Sequence, residues 1–184
     1  NLFMDSQATF NLSSGKVQLE QQTDYPWDGR IRLVCRLKQP TKFVLHVRIP
    51  GWCNDWSAKL VESSDAASNM TDLSGRPLQN GYLVLDRLWQ PGDSVELEFA
   101  MEPVRIVAHP NVIADRGRVA IQRGPIVYCF EGVDNGPMIR TTILARDPKL
   151  QAVRRPDLLG GVVVVKAADR TGKELTAIPY YAWD

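Results

Sequence analysis

Histidine and cysteine are scarce in this sequence, with His46 and His109 the two imidazoles and Cys35, Cys53 and Cys129 the three thiols in 184 residues. A disulfide framework calls for an even set of cysteines, and a redox pair for a Cys-x-x-Cys spacing. The chain has neither, so its thiols read as small, half-buried apolar residues. A zinc ion takes three or four N, S or O ligands in a tetrahedral array. Imidazoles and thiols scattered along strands do not supply one. The HExxH, GxSxG, Walker and dinucleotide-binding patterns are absent as well. No run approaches the roughly 18 apolar residues of a membrane-crossing helix, and the apolar stretch at residues 162–165 is the length of a strand. Neither sign of charge is in excess. Lys and Arg number 22 and Asp and Glu 21, which argues against the basic face that nucleic acid demands. Residues 1–14 lack the basic start and apolar core of a secretory leader. The first residue is Asn rather than Met, so the chain reads as a fragment or a processed product, and its compartment is unknown.

Period-two alternation is abundant. It runs through Lys16-Val17-Gln18-Leu19-Glu20, through residues 30–37 and 43–49, through Tyr82-Leu83-Val84-Leu85-Asp86, and most cleanly through Ser94-Val95-Glu96-Leu97-Glu98-Phe99. Such segments are antiparallel strands with one apolar and one solvated face. Turn chemistry separates them: Pro26-Trp27-Asp28-Gly29, Pro50-Gly51, Asn80-Gly81 and Pro91-Gly92-Asp93. Residues 62–80, rich in Ser, Ala, Asp and Asn, read as a long mobile surface connection. Further on, residues 118–122 and 126–130 flank a break at Arg123-Gly124-Pro125. Asp147-Pro148 has the chemistry of a helix start. Residues 162–166 predict a strand buried on both faces, and Asp169-Arg170-Thr171-Gly172 predicts a hairpin into a last strand over 174–181. The expected class is all-β with little helix: two antiparallel β-sandwich-like units, residues 1–103 and 104–184.

No catalytic constellation emerges from these residues. His46 occupies a polar position of an alternating strand, and His109 precedes a proline in a loop. Two carboxyls about 5–9 Å apart serve glycoside hydrolysis. Glu96 and Glu98 lie on the solvated face of one strand, while Glu131 and Asp134 adjoin a turn. Both pairs read as ordinary surface charge. Of the five tryptophans, Trp27, Trp52 and Trp56 are near turns and are candidates for stacking on sugars or for covering an apolar core.

The ordered motifs carry a resemblance. Thr23-Asp24-Tyr25-Pro26-Trp27-Asp28-Gly29 is followed by Arg48-Ile49-Pro50-Gly51-Trp52-Cys53, Gly81-Tyr82-Leu83 and Trp89-Gln90-Pro91-Gly92-Asp93. Residues 117–125, Tyr128-Cys129 and Ile178-Pro179-Tyr180-Tyr181-Ala182-Trp183 complete the succession. Taken together it resembles the C-terminal β region of glycoside hydrolase family 127, the β-L-arabinofuranosidase-like enzymes, over essentially the whole chain. The resemblance implies a parent enzyme with an (α/α)6 barrel in which a zinc-bound cysteine is the nucleophile, assisted by a glutamate and further cysteines. Those groups belong to the barrel, so none is carried onto Cys35, Cys53 or Cys129. Family members usually continue beyond the Tyr-Tyr-Ala-Trp motif, which implies a shortened second unit. The function expected is therefore non-catalytic: a C-terminal β module supporting a separate barrel of the same polypeptide that hydrolyses L-arabinofuranosides or related plant glycans. It would hold no catalytic residue, metal or cofactor itself, zinc being implied for the barrel alone. The alternative is a carbohydrate-binding module using Trp27, Trp52 and Trp56. Leu2, Phe3, Tyr25, Trp27, Trp52 and Trp56 are the candidate contacts to barrel or carbohydrate. Neither nucleic acid nor a membrane is an expected partner.

Overall fold

The computed structural model describes residues 3–63 and 69–183, which form two compact units, Asn1–Met101 and Glu102–Asp184. Among these residues the chain is all-β. Its helix is confined to one four-residue α turn and three 3-10 turns.

The first unit packs a six-stranded sheet against a two-stranded one. The larger sheet contains β1 (Ser6–Leu12), β2 (Gly15–Thr23), β3 (Arg30–Arg36), β5 (Trp56–Glu62), β6 (Asn69–Asp72) and β8 (Ser94–Phe99), in the order β1-β2-β3-β8-β5-β6. The smaller pairs β4 (Thr41–Arg48) with β7 (Tyr82–Trp89). Every pairing is antiparallel. Register converts the alternating sequence into layers. Ile31 stands opposite Leu97, which stands opposite Ala58; Leu33, Val95 and Leu60 form the next row. Leu45 opposite Leu85 and Val47 opposite Leu83 supply the facing layer. All these side chains belong to one core, and burial contributes roughly 1.5–3 kcal/mol for each large aliphatic side chain. The intervening residues face solvent, where Arg32 lies opposite Glu96 and pairs with it at 3.5 Å.

Two polar devices fix the loops of this unit. The carboxylate of Asp93, fully buried, accepts hydrogen bonds from the backbone N–H groups of Ser63 and Gln90, each at 3.0 Å, and lies 3.5 Å from the Arg87 guanidinium. Trp89, also fully buried, stacks on Phe43 and donates its indole N–H to the Phe43 carbonyl at 3.1 Å. At the start of β3 a Cβ on Gly29 would overlap the Phe99 carbonyl, so only glycine lets the backbone come this close.

One expectation for the connections needs correction. Of the expected surface connection over 62–80, residues 64–68 lie outside the described residues; residues 69–72 form β6, paired with β5, and Leu73 is buried in the core. Asn80-Gly81 makes the tight turn that its chemistry predicts, with positive φ at both residues and backbone hydrogen bonds in both directions between Gln79 and Tyr82.

The second unit is built on one six-stranded antiparallel sheet. Its strands are β9 (Val104–Val107), β10 (Val119–Arg123), β11 (Ile126–Phe130), β12 (Gln151–Arg155), β13 (Val162–Ala168) and β14 (Glu174–Pro179), in the order β12-β13-β14-β11-β10-β9. Ile121 pairs with Tyr128, Tyr128 with Pro179, Ala177 with Val165 and Leu175 with Ala167. These seven residues are all buried on one face of the sheet. Val164 and Ile178 point the other way and are buried too, which satisfies the continuous apolar run at 162–165. No helix follows Asp147-Pro148; the chain goes directly into β12, whose exposed and half-buried residues alternate. The helical turn α1 (Gly132–Asn135) lies earlier and is fastened by Asn135. That amide donates to the carbonyls of Glu131 and Thr176, at 2.8 and 2.9 Å, and accepts from the Thr176 N–H at 2.7 Å.

Candidate functional site

Leu2 lies outside the described residues. The other aromatic candidates converge at one end of the first unit, largely as parts of its core. Phe3, Tyr25, Trp52 and Trp56 are partly buried and pack against the core cluster. Phe3 meets Tyr25 and Phe99 edge-on, with ring centroids 5.6 and 5.4 Å apart, and Trp52 meets Phe99 edge-on at 6.0 Å. Burial pushes the Tyr25 phenol up, while a hydrogen bond with Trp52 pulls the other way. Trp27 is half-buried on the turn that follows the cis Tyr25–Pro26 bond, with its N–H donating to the Asp24 carbonyl.

The nucleophile and metal candidates do not assemble. All three cysteines are free thiols. Burial, then the nearby Asp93 carboxylate, raises Cys35 to about 12, with Arg87 opposing. Burial likewise raises Cys53, whose Sγ donates to the Asp55 carbonyl at 3.1 Å, and Cys129. These thiols are held protonated, the reverse of what a nucleophile or a metal ligand needs. His109 accepts a turn hydrogen bond from the Asn111 N–H, and His46 sits edge-on to Tyr82. Among the described residues no three of His, Cys, Asp or Glu come together as ligands.

What the units do display are surfaces. On β1 every residue is exposed; Phe10 and Leu12 are 48% and 42% accessible, although they pair with Val17 and Gly15 on the core side of the sheet. A second apolar strip crosses β9, β10 and β11 on the face opposite Tyr128. Val104 and Ile106 stand across from Gln122 and Ala120, and Val127 extends the strip. A broad concavity, about 1310 Å³, is an open groove within the second unit, walled by residues of 139–146 and bordered by Tyr128, Phe130 and Leu175. Sequence reading gave no sign of this groove, because its walls come from segments far apart in the chain. No helix among the described residues is long and apolar enough to cross a membrane.

Comparison with known proteins accounts for both units. Residues 1–101 match the β-L-arabinofuranosidase GH127 middle domain, and residues 103–184 match the glycoside hydrolase family 127 C-terminal domain. The crystal structure of a GH127 β-L-arabinofuranosidase from Geobacillus stearothermophilus T6 superposes with a TM-score of 0.86 at 39% identity, over 99% of this chain and 31% of that one. A second GH127 β-arabinofuranosidase structure gives a TM-score of 0.83 at 33% identity, over 100% of this chain and 32% of its own. The non-reducing end β-L-arabinofuranosidase of Bifidobacterium longum subsp. longum is 29% identical across 95% of this chain and 29% of its own length. The chain thus spans about a third of the length of each of these relatives. With both units matched and the motif succession explained, this chain belongs to glycoside hydrolase family 127, as a β-rich accessory region made of the family's middle and C-terminal domains.

Proposed function

We propose that residues 1–184 are the non-catalytic β portion of an arabinofuranoside hydrolase and that they support a separate (α/α)6 catalytic barrel. The observation that carries this reading is the pairing of two family-127 domain matches, covering nearly every residue, with the lack, among the described residues, of any group of three or more His, Cys, Asp or Glu that could hold a metal ion. A hydrolase needs a nucleophile or two placed carboxyls. Here the thiols are held protonated by burial, and Glu96 is committed to Arg32 on a sheet surface. In this proposal the zinc and its cysteine ligands belong to the barrel.

The apolar strips supply a means of support. Phe10 and Leu12 on β1, and Val104, Ile106 and Val127 across β9–β11, are exposed in rows rather than singly. Contacts between domains of one chain bury about 600–1,500 Å², and rows of this kind suit them. Trp27, half-buried on its turn, remains a docking candidate beside them. A sugar-binding row formed by Trp27, Trp52 and Trp56 draws less support, because Trp52 is spent on Phe99 and Trp56 on the core.

Activity on an aryl β-L-arabinofuranoside tests the proposal. The 184-residue chain should give no turnover with or without added zinc, and should associate with a separately produced family-127 barrel. Turnover lost on Cys129→Ser, or on Cys53→Ser, would place the active site in this chain and overturn the reading.

A further inference from the structure

The near-neutral charge of the whole chain conceals an uneven distribution. Residues 102–184 carry twelve Lys and Arg against nine Asp and Glu. Five of those cations, Arg105, Arg118, Arg140, Arg146 and Arg170, line the broad groove of the second unit, and no Asp or Glu lines it. All five are exposed. Arg118 reaches only Asp115, at 3.9 Å, and Arg105 donates to the Arg146 carbonyl at 2.6 Å. The guanidinium groups of Arg140, Arg146 and Arg170 make no ion pair with a described residue. Like charges gathered around one concavity repel one another unless an anion joins them, and each guanidinium presents a planar fork that matches a carboxylate in two-point contact.

An aromatic platform adjoins these cations. Tyr180 lines the groove and also, with Arg140, Trp183 and the carboxylate-bearing Glu131, a neighbouring cavity of about 410 Å³. Tyr180 and Trp183 stack, with centroids 5.7 Å apart and planes 28° from parallel, yet they stay 54% and 61% exposed. Flat aromatic faces that are held in place but left in water suit a ligand with flat apolar faces of its own, such as the C–H faces of a sugar ring. The groove, about 1310 Å³, is larger than the roughly 300–1,000 Å³ that holds a drug-sized molecule, so it has room for several rings.

We infer that this groove binds a carboxylate-bearing oligosaccharide, a run of uronic acid residues whose carboxylates meet the arginines and whose ring faces meet Tyr180 and Trp183. An acidic polypeptide would satisfy the charges alone. It would leave the aromatic platform unused, and the groove's β10 and β11 are already paired on both sides, which leaves only the outer edge of β9 to a peptide backbone. The groove shares Val127 with the second docking strip, but its test reads carbohydrate binding to this chain alone, so either proposal can fail without the other.

The test is calorimetric titration of the 184-residue chain with three probes: oligogalacturonate, the same oligomer fully methyl-esterified, and poly-L-glutamate. Oligogalacturonate should bind, and both of the others should bind about tenfold more weakly or worse. The double substitution Arg140→Gln, Arg170→Gln should weaken oligogalacturonate binding by about tenfold or more, the scale of removing fully engaged charged contacts, with an unchanged circular dichroism spectrum. Should that pair disturb folding, Arg146→Gln alone, on an exposed wall, should still weaken binding, and Tyr180→Ala should do so without altering the charge. Absence of oligogalacturonate binding overturns the proposal. So does equal binding of the methyl ester, which would mean that the carboxylates are not read. Equal or tighter binding of poly-L-glutamate would assign the groove to acidic polypeptides instead, and unchanged binding by the variants would place the ligand elsewhere.

Discussion

Single residues show how context decides chemistry in this chain. Cys35 occupies β3 with no exposure to water, and its thiol is pushed up to about 12. In an unfolded chain the same thiol ionises near about 8.5. Its pKa is raised on folding, so the stability it contributes is fully present below the unfolded value and is lost as pH rises toward the folded one. Cys53 and Cys129 are raised as well and add to the same trend. Urea unfolding measured from pH 7 to pH 10 should therefore show stability falling above about pH 8.5, and Cys35→Ala should flatten part of that fall. An unchanged slope in the variant would show that Cys35 ionises as readily folded as unfolded. A matching expectation is that Cys35 escapes thiol reagents at neutral pH until the chain is denatured.

Elements were legible in proportion to how strongly one face had to be buried. β3, β4, β7 and β8 alternate because one side meets the core, and their turns carry the Pro, Gly, Asn and Asp that tight reversals need. β6 was not legible, since Asn69-Met70-Thr71-Asp72 is exposed throughout and leaves no period to read. Asp147-Pro148 offered cap chemistry without a following apolar stripe, and the cap alone does not make a helix. α1 has the opposite character: four residues with no recognisable start signal, held by the tertiary bonds of Asn135. Asn135→Ala should accordingly cost about 2–4 kcal/mol, because it leaves the partly buried N–H and C=O of Thr176 without these partners. Urea titration with hydrogen exchange at Thr176 would check this. A loss below about 0.5 kcal/mol, the size of an ordinary surface substitution, would mean that water replaces the amide without penalty. The arginine groove was illegible for a different reason. Its cations come from β9, from the approach to β10, from the 139–146 wall and from the β13–β14 turn, and no local pattern in the sequence links them.

For the molecule as a whole, the order of strands in the first sheet carries a consequence in time. β3 lies between β2 and β8, and β8 lies between β3 and β5. The strand that joins the two halves of the sheet is therefore the last of its strands to leave the ribosome: Arg30 must wait for Glu98, and Ile31 for Leu97. Until then β1–β2–β3 and β5–β6 are separate pieces, each with an unpaired edge that would be interior in the finished sheet. Pairings this distant in sequence close slowly, because loop entropy is spent before contacts repay it. A nascent chain stalled with residues beyond 93 still inside the tunnel should be cut readily by protease, and one released past Met101 should resist. Early resistance would mean that the half-sheets fold alone. Synthesis thus holds the first unit incomplete until its final strand arrives, and its apolar rows are open to chaperones for the whole of that interval.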